Sequence, residues 1–188
     1  MKLNHLLRKS NILLLALPAA ALAQTPPNAA INPSDYGPHA GSEEFTLGGD
    51  GTTNRDLNNS IGSAAASFGY YFTNSFEGVV RQSAGYTNPA GSDGNVWNGE
   101  TSIAGDLHLV DQGPIRPFIG ANLGYVYGSN IRNSMAAGLE GGAKFYVMPR
   151  TFIFAMANYG WLFRHDKAIA ARFDTGLWNW GVGIGFNF

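Results

Sequence analysis

Beyond the first 23 residues the chain has three histidines, His39, His108 and His165, and any proton-transfer or metal chemistry would start from them. A hydrolytic site needs a serine, a histidine and an orienting acid within hydrogen-bond reach. His165 adjoins Asp166 but lies among Arg164, Lys167 and Arg172 with no serine beside it. His108 is two residues from Asp106, and His39 follows Pro38 in a Pro-rich stretch. No two of these histidines have metal-ligand spacing. Asp93-Gly94 offers one acid, short of a calcium loop. Gly48-Gly49-Asp50-Gly51 lacks the lysine and following helix of a phosphate loop and reads as a strand end and turn. With no cysteine, thiolate nucleophiles, thiolate metal sites and disulfides are excluded. The expectation is a non-enzymatic protein with no catalytic, cofactor or metal site.

A second set of ionisable residues is more informative because of what alternates with it. Glu77, Arg81, Glu100, Asp106, His108, Glu140 and Lys144, with Glu44 a possible member, occupy every-other positions opposite apolar residues. Such period-two patterning belongs to strands. Eight segments carry it, at about 43–50, 60–72, 76–87, 96–110, 117–128, 135–147, 151–163 and 175–188, separated by turn signals. Glycine is frequent, 25 residues in all, and each would cost a helix about 1 kcal/mol relative to alanine. Connections after the second, fourth and sixth segments are short: Thr73-Asn74-Ser75, Asp111 to Arg116, and Met148-Pro149-Arg150. Those after the odd-numbered segments are mostly longer and polar: Gly51–Asn59, Asn88–Asn95 and Arg164–Asp174, with Ser129–Ser134 the weakest contrast.

The chain begins with an export signal. Lys2, Arg8 and Lys9 precede the apolar run Ile12 to Leu17, and Ala21-Leu22-Ala23 is a small-x-small cleavage site, so residues 1–23 are removed and the mature chain starts at Gln24. The run is too short for a bilayer of roughly 30 Å and is broken by Pro18. Residues 24–42, with Pro26, Pro27, Pro33 and Pro38, read as an irregular tail unable to bury enough apolar surface to order itself, and 43–188 as the folded domain. Removing residues 1–23 takes away three of 12 Lys and Arg and none of 13 Asp and Glu, leaving a net charge of −4. That gives no electrostatic case for nucleic acid, which requires a clustered basic surface. No later stretch has the length of an apolar membrane helix, so an exported chain of this kind enters a membrane only as a closed barrel, in which every backbone polar group is paired internally.

The last segment shows which face meets lipid. Trp178, Trp180, Val182, Ile184, Phe186 and Phe188 alternate with Asn179, Gly181, Gly183, Gly185 and Asn187. In the sixth, Leu139, Gly141, Ala143, Phe145 and Val147 oppose Glu140, Gly142, Lys144 and Tyr146; segments two and seven alternate less cleanly. Repeated glycine on the polar face suits a narrow, crowded interior better than a solvated surface. Aromatics gather at the segment ends, with Trp97, Tyr125, Tyr127, Tyr159, Trp161, Trp178 and Trp180 on the loop side and Phe72, Phe76, Phe145, Phe186 and Phe188 on the turn side, as in interfacial girdles. A lysine facing lipid near the midplane costs roughly 2–4 kcal/mol, so the charged set must face inward. The fold predicted is all-β: an eight-stranded antiparallel up-and-down transmembrane barrel with short periplasmic turns and longer extracellular loops.

The terminal Trp180-x-Val182-x-Ile184-x-Phe186-x-Phe188 resembles the C-terminal signature by which bacterial outer-membrane barrels are recognised for insertion. The eight-strand plan over about 43–188 is similar to the transmembrane domain of the outer membrane protein A superfamily. The resemblance implies outer-membrane localisation, the barrel-assembly machinery as a partner during insertion, contact with lipids including lipopolysaccharide, and a monomer. Because the chain stops at Phe188, the peptidoglycan-binding domain of larger members is not expected. Some eight-stranded barrels modify lipid A, but the His-x-Ser pattern of the lipid A deacylase barrels is absent from this sequence.

Within the lumen Arg81 is expected to pair first with Asp106, with Glu140 and Lys144 extending the network as a structural polar plug. The functional expectation is a non-enzymatic barrel contributing to envelope structure or surface interaction. A narrow pore or small-hydrophobe carrier is the alternative, and a lipid A-modifying enzyme the outside one.

Overall fold

A computed structural model of the chain describes residues 32, 35–54, 60–87, 96–129, 133–163 and 176–188. Its strands are β1 Glu43–Asn54, β2 Ser60–Tyr71, β3 Phe76–Thr87, β4 Val96–His108, β5 Ile115–Gly128, β6 Ser134–Tyr146, β7 Thr151–Leu162 and β8 Leu177–Asn187. Each pairs antiparallel with the next, and β1 closes onto β8 with Phe45 opposite Phe186 and Leu47 opposite Ile184, giving a closed barrel. Reciprocal backbone bonds between Glu43 and Phe188 finish that seam. The proposed signal segment, most of the tail, and the His165–Asp166 pair lie outside the described residues.

Side chains alternate inward and outward as pleated strands require, with the distribution of a soluble core reversed. Leu47, Val80, Ile103, Ile119, Leu139, Ile153 and Val182 are exposed on the outer wall, whereas Glu44, Glu77, Asp106, Arg116, Glu140 and Lys144 are buried inside. This inversion suits a wall whose solvent is hydrocarbon.

Most strand ends shift by a residue or two from the sequence reading, and the shifts in β1 and β5 relocate residues that matter. β1 runs past Gly51 to Asn54, so the Gly48–Gly51 run is mid-strand, held on both sides by ladders to β2 and β8. β5 begins at Ile115, which brings Arg116 out of the expected turn and into the lumen. The weak alternation of segment seven also has a cause. Phe152, Phe154 and Met156 face inward with Asn158, against the glycines of β8, so both faces of β7 are apolar along much of its length. The Cζ of Phe152 would stand 2.2 Å from a Cβ on Gly185, so that ring occupies the space of the missing side chain.

The end of the 24–42 segment is ordered against the barrel, contrary to expectation for that stretch. Gly37 N donates to Pro149 O, Ala40 N to Asn74 Oδ1 and Gly41 N to Tyr71 O, so residues 37–41 run from the β6–β7 turn to the β2–β3 turn. Little apolar area is needed because the neighbouring turns satisfy the backbone; Pro38 alone is fully buried.

Candidate functional site

The lumen holds two polar clusters at different heights. Near the turns, Lys144 Nζ donates to Glu44 Oε1 and Oε2 at 2.6 and 2.7 Å, to Glu77 Oε2 at 2.8 Å and to Tyr71 Oη at 2.8 Å. Tyr71 Oη donates to Glu44 Oε2 at 3.0 Å, and Asn187 Nδ2 donates to the same oxygen at 2.9 Å. His108 Nε2 lies 3.1 Å from Glu77 Oε2 and 3.2 Å from Tyr71 Oη. Aromatic rings seal the cluster, with the ammonium 5.1 Å from the Phe152 ring centre and 5.3 Å from that of Tyr71. Tyr71, Glu77, Arg116 and Phe152 are all 0% exposed.

Arg116 ties this layer to the strap at residues 37–41. Its Nε donates to Val110 O at 3.2 Å, Nη1 to Pro38 O at 3.3 Å and Nη2 to Asn74 O at 2.6 Å. A planar guanidinium with five donors can hold three carbonyls from separate segments at once. Gly37 faces the guanidinium: it has φ +90°, and a Cβ there would stand 2.3 Å from Arg116 Nη1, so both conformation and space require glycine.

Further from the turns, Arg81 forms a two-pronged ion pair with Glu140, at 3.1 Å from Nη2 to Oε1 and 3.3 Å from Nη1 to Oε2. Asn122 Nδ2 also donates to Glu140 Oε2, and Asn179 Nδ2 donates to Asn158 Oδ1 at 3.2 Å. A cavity of about 30 Å³ lies between the clusters, lined by Glu77, Val79, Arg81, Asp106, Lys144 and Phe154 among others. That is room for one or two waters. Glu77 Oε1, Asp106 Oδ1 and His108 Nδ1 have no hydrogen-bond partner among the described residues.

All seven residues of the expected network face inward, but their pairing differs. Arg81 does not pair with Asp106. Register places Asp106 opposite Glu77, four residues nearer the turns than Arg81, a separation of about 13 Å along a strand. Arg81 reaches instead across the lumen from β3 to Glu140 on β6. The same spacing separates Glu140 from Lys144, which therefore belong to different clusters. Glu100 is half-buried, its Oε1 filling the space beside Gly124. Among the described residues no group of three or more His, Asp or Glu could hold a metal ion.

Comparison with known proteins completes the assignment of the fold. No protein-family model matches the chain, and no curated protein matches its sequence. Solved structures do. OprG, an outer membrane protein of Pseudomonas aeruginosa, is 10% identical over 80% of this chain and 97% of its own, with a TM-score of 0.58. Neisserial surface protein A is 15% identical over 78% of this chain and 96% of its own, with a TM-score of 0.57. Ail, the attachment invasion locus protein of Yersinia pestis, is 16% identical over 79% and 99%, with a TM-score of 0.52. The chain is an eight-stranded barrel of the outer-membrane type.

In this outer-membrane barrel the terminal-strand residues Trp180, Val182, Ile184, Phe186 and Phe188 all stand exposed on the outer wall. The loop-side aromatics form two groups. Trp97 meets Tyr127 edge-on at 6.1 Å, with Tyr125 6.2 Å from Tyr127; Tyr159 packs on Trp161 and Trp178 at 5.1 and 5.0 Å, and Trp178 stacks on Trp180. Sequence reasoning missed Arg116, Tyr71 and Asn187 as members of the turn-side layer. Arg116 had a signal: Ile115, Pro117 and Ile119 continue the apolar face of β5, which sends residue 116 inward.

Proposed function

We propose that the barrel is a non-enzymatic, non-conducting structural component of the outer membrane, holding its long connections at the cell surface for contact with lipopolysaccharide or an external partner. The observation that carries this reading is the filled turn-side half of the lumen. There the Lys144–Glu44–Glu77 cluster is packed among Tyr71, Phe118 and Phe152 and roofed by the Arg116-bound strap. An eight-stranded barrel is just wide enough for its own side chains to fill.

The test is single-channel recording in planar bilayers with Arg81→Ala beside the native chain. Arg81→Ala strands Glu140 and lowers the thermal midpoint, but the turn-side layer remains, so both proteins are expected to pass no unitary current. Reproducible openings from the native barrel would replace this reading with that of a narrow pore.

A further inference from the structure

The outer wall carries one feature that the lumen does not account for. Gln82 on β3, Thr101 on β4 and Tyr127 on β5 all point outward, and their side chains are bonded to one another. Gln82 Nε2 donates to Tyr127 Oη and to the Ser83 carbonyl, both at 2.8 Å. Thr101 Oγ1 donates to Gln82 Oε1 at 2.6 Å and lies 3.3 Å from Tyr127 Oη. Gln82 and Thr101 are exposed, and the strands carry Val80, Ile103 and Leu123 on their turn side. Thr101 stands four residues below Trp97, about 10 Å along the membrane normal for a strand tilted by roughly 40°. The Tyr127 ring lies over Gly99, bringing its hydroxyl down to that level. The triad therefore lies at the inner edge of the loop-side girdle, with Thr101 opposite Tyr125, where the acyl-chain zone begins.

A proton count sets what the triad can bind. The amide of Gln82 has two hydrogens and both are used; the Thr101 hydrogen goes to Gln82 Oε1, which leaves the Tyr127 hydrogen for Thr101 Oγ1. Every donor is consumed, one on the Ser83 carbonyl and the others within the triad. Gln82 Oε1, Thr101 Oγ1 and Tyr127 Oη each keep one free lone pair. The patch is a set of acceptors without a spare donor, facing hydrocarbon. We propose that it is a lipid-binding site selecting acyl chains that carry a hydroxyl group, which alone among the groups of an acyl chain supplies the missing donor at that depth.

The experiment is native mass spectrometry of the full barrel released from nanodiscs. The discs contain equal amounts of three phosphatidylcholines: one with plain acyl chains, one hydroxylated at carbon 3, and one hydroxylated at carbon 9 and deuterated in the headgroup so that its mass differs. The choline headgroup has no donor of its own. The native barrel is expected to retain one hydroxylated lipid about fivefold over the plain one, the size of one net hydrogen bond, and Gln82→Val/Thr101→Val/Tyr127→Phe should lose the preference. Heat-dependent gel migration checks that the variant is closed; if it fails to close, Gln82→Leu alone replaces it. No preference for either hydroxylated lipid in the native barrel, or an equal preference in a closed variant, overturns the proposal. Neither result bears on conductance, so this site and the non-conducting reading fail separately.

Discussion

Replacing Lys144 by methionine is the most direct test of how the lumen is held. The side chains are of similar length, so the change removes charge and donors more than volume. Four oxygen contacts are lost at once, and Glu44 and Glu77, 3% and 0% exposed, are left facing each other without their cation. Removing one partner of a buried ion pair costs about 3–5 kcal/mol, chiefly because the remaining charge stays buried. The triple variant Lys144→Met/Glu44→Gln/Glu77→Gln carries no stranded charge and should recover most of that loss, since a buried pair contributes little beyond its own desolvation. The assay is urea unfolding in phosphatidylcholine vesicles, followed in parallel by tryptophan fluorescence and heat-dependent gel migration. Agreement between the two probes licenses a two-state free energy. A single variant within about 1 kcal/mol of the native barrel would refute the cluster as drawn. So would a triple variant as unstable as the single one, since packing and not charge would then be what was lost.

Two further substitutions test the strap and the glycine bed. Arg116→Ala leaves the Pro38, Asn74 and Val110 carbonyls without their shared donor, and Gly37→Ala forces a Cβ onto the guanidinium at a positive φ; each should expose Tyr36 to chymotrypsin at least tenfold faster than in the native barrel, and unchanged cleavage would show the strap to be held otherwise. Gly185→Ala collides with the Phe152 ring and should cost about 1–3 kcal/mol in the same urea assay, whereas Gly141→Ala, on the outer wall with no atom closer than 3.5 Å, should be nearly neutral; equal effects would contradict the packing.

How far the fold could be read from the chain depended on which strand was being read. β8 was legible because from Trp178 onward bulky residues and glycine or asparagine alternate without a break, and period two leaves one choice of faces. β7 was not, since inward Phe152, Phe154 and Met156 are as apolar as outward Ile153 and Ala155. Their environment is set by the glycines of a partner strand, which the β7 segment does not contain. The extent of β1 failed for a related reason: Gly48 and Gly49 signal a turn locally, and two flanking ladders override them.

The clusters follow the same logic. That Glu140 and Lys144 face inward needed only their own strand, but whether they meet depended on height. Height in a barrel comes from the stagger of strands around the whole ring. Register carries Glu140 through Gly120 and Asp106 to Glu77, and Lys144 through Phe154 and Gly183 to Gly48. Strand tilt displaces the facing levels by four residues, so that Glu140 meets Arg81 while Lys144 meets Glu77 and, across the seam, Glu44. The Lys144–Glu44 contact joins residues 100 positions apart, and no local pattern encodes it. It is decided instead by where the ring closes, which explains why residue types predicted the lumen's chemistry while leaving its partners open. The polar triad outside the barrel reverses this case. Gln82 and Thr101 are polar on an otherwise apolar face, yet only register sets them opposite each other and brings Tyr127 onto the neighbouring Gly99, from which its hydroxyl reaches both. Three polar groups on one lipid-facing patch, with every donor consumed, form a single surface whose remaining valence is for a donor from the membrane.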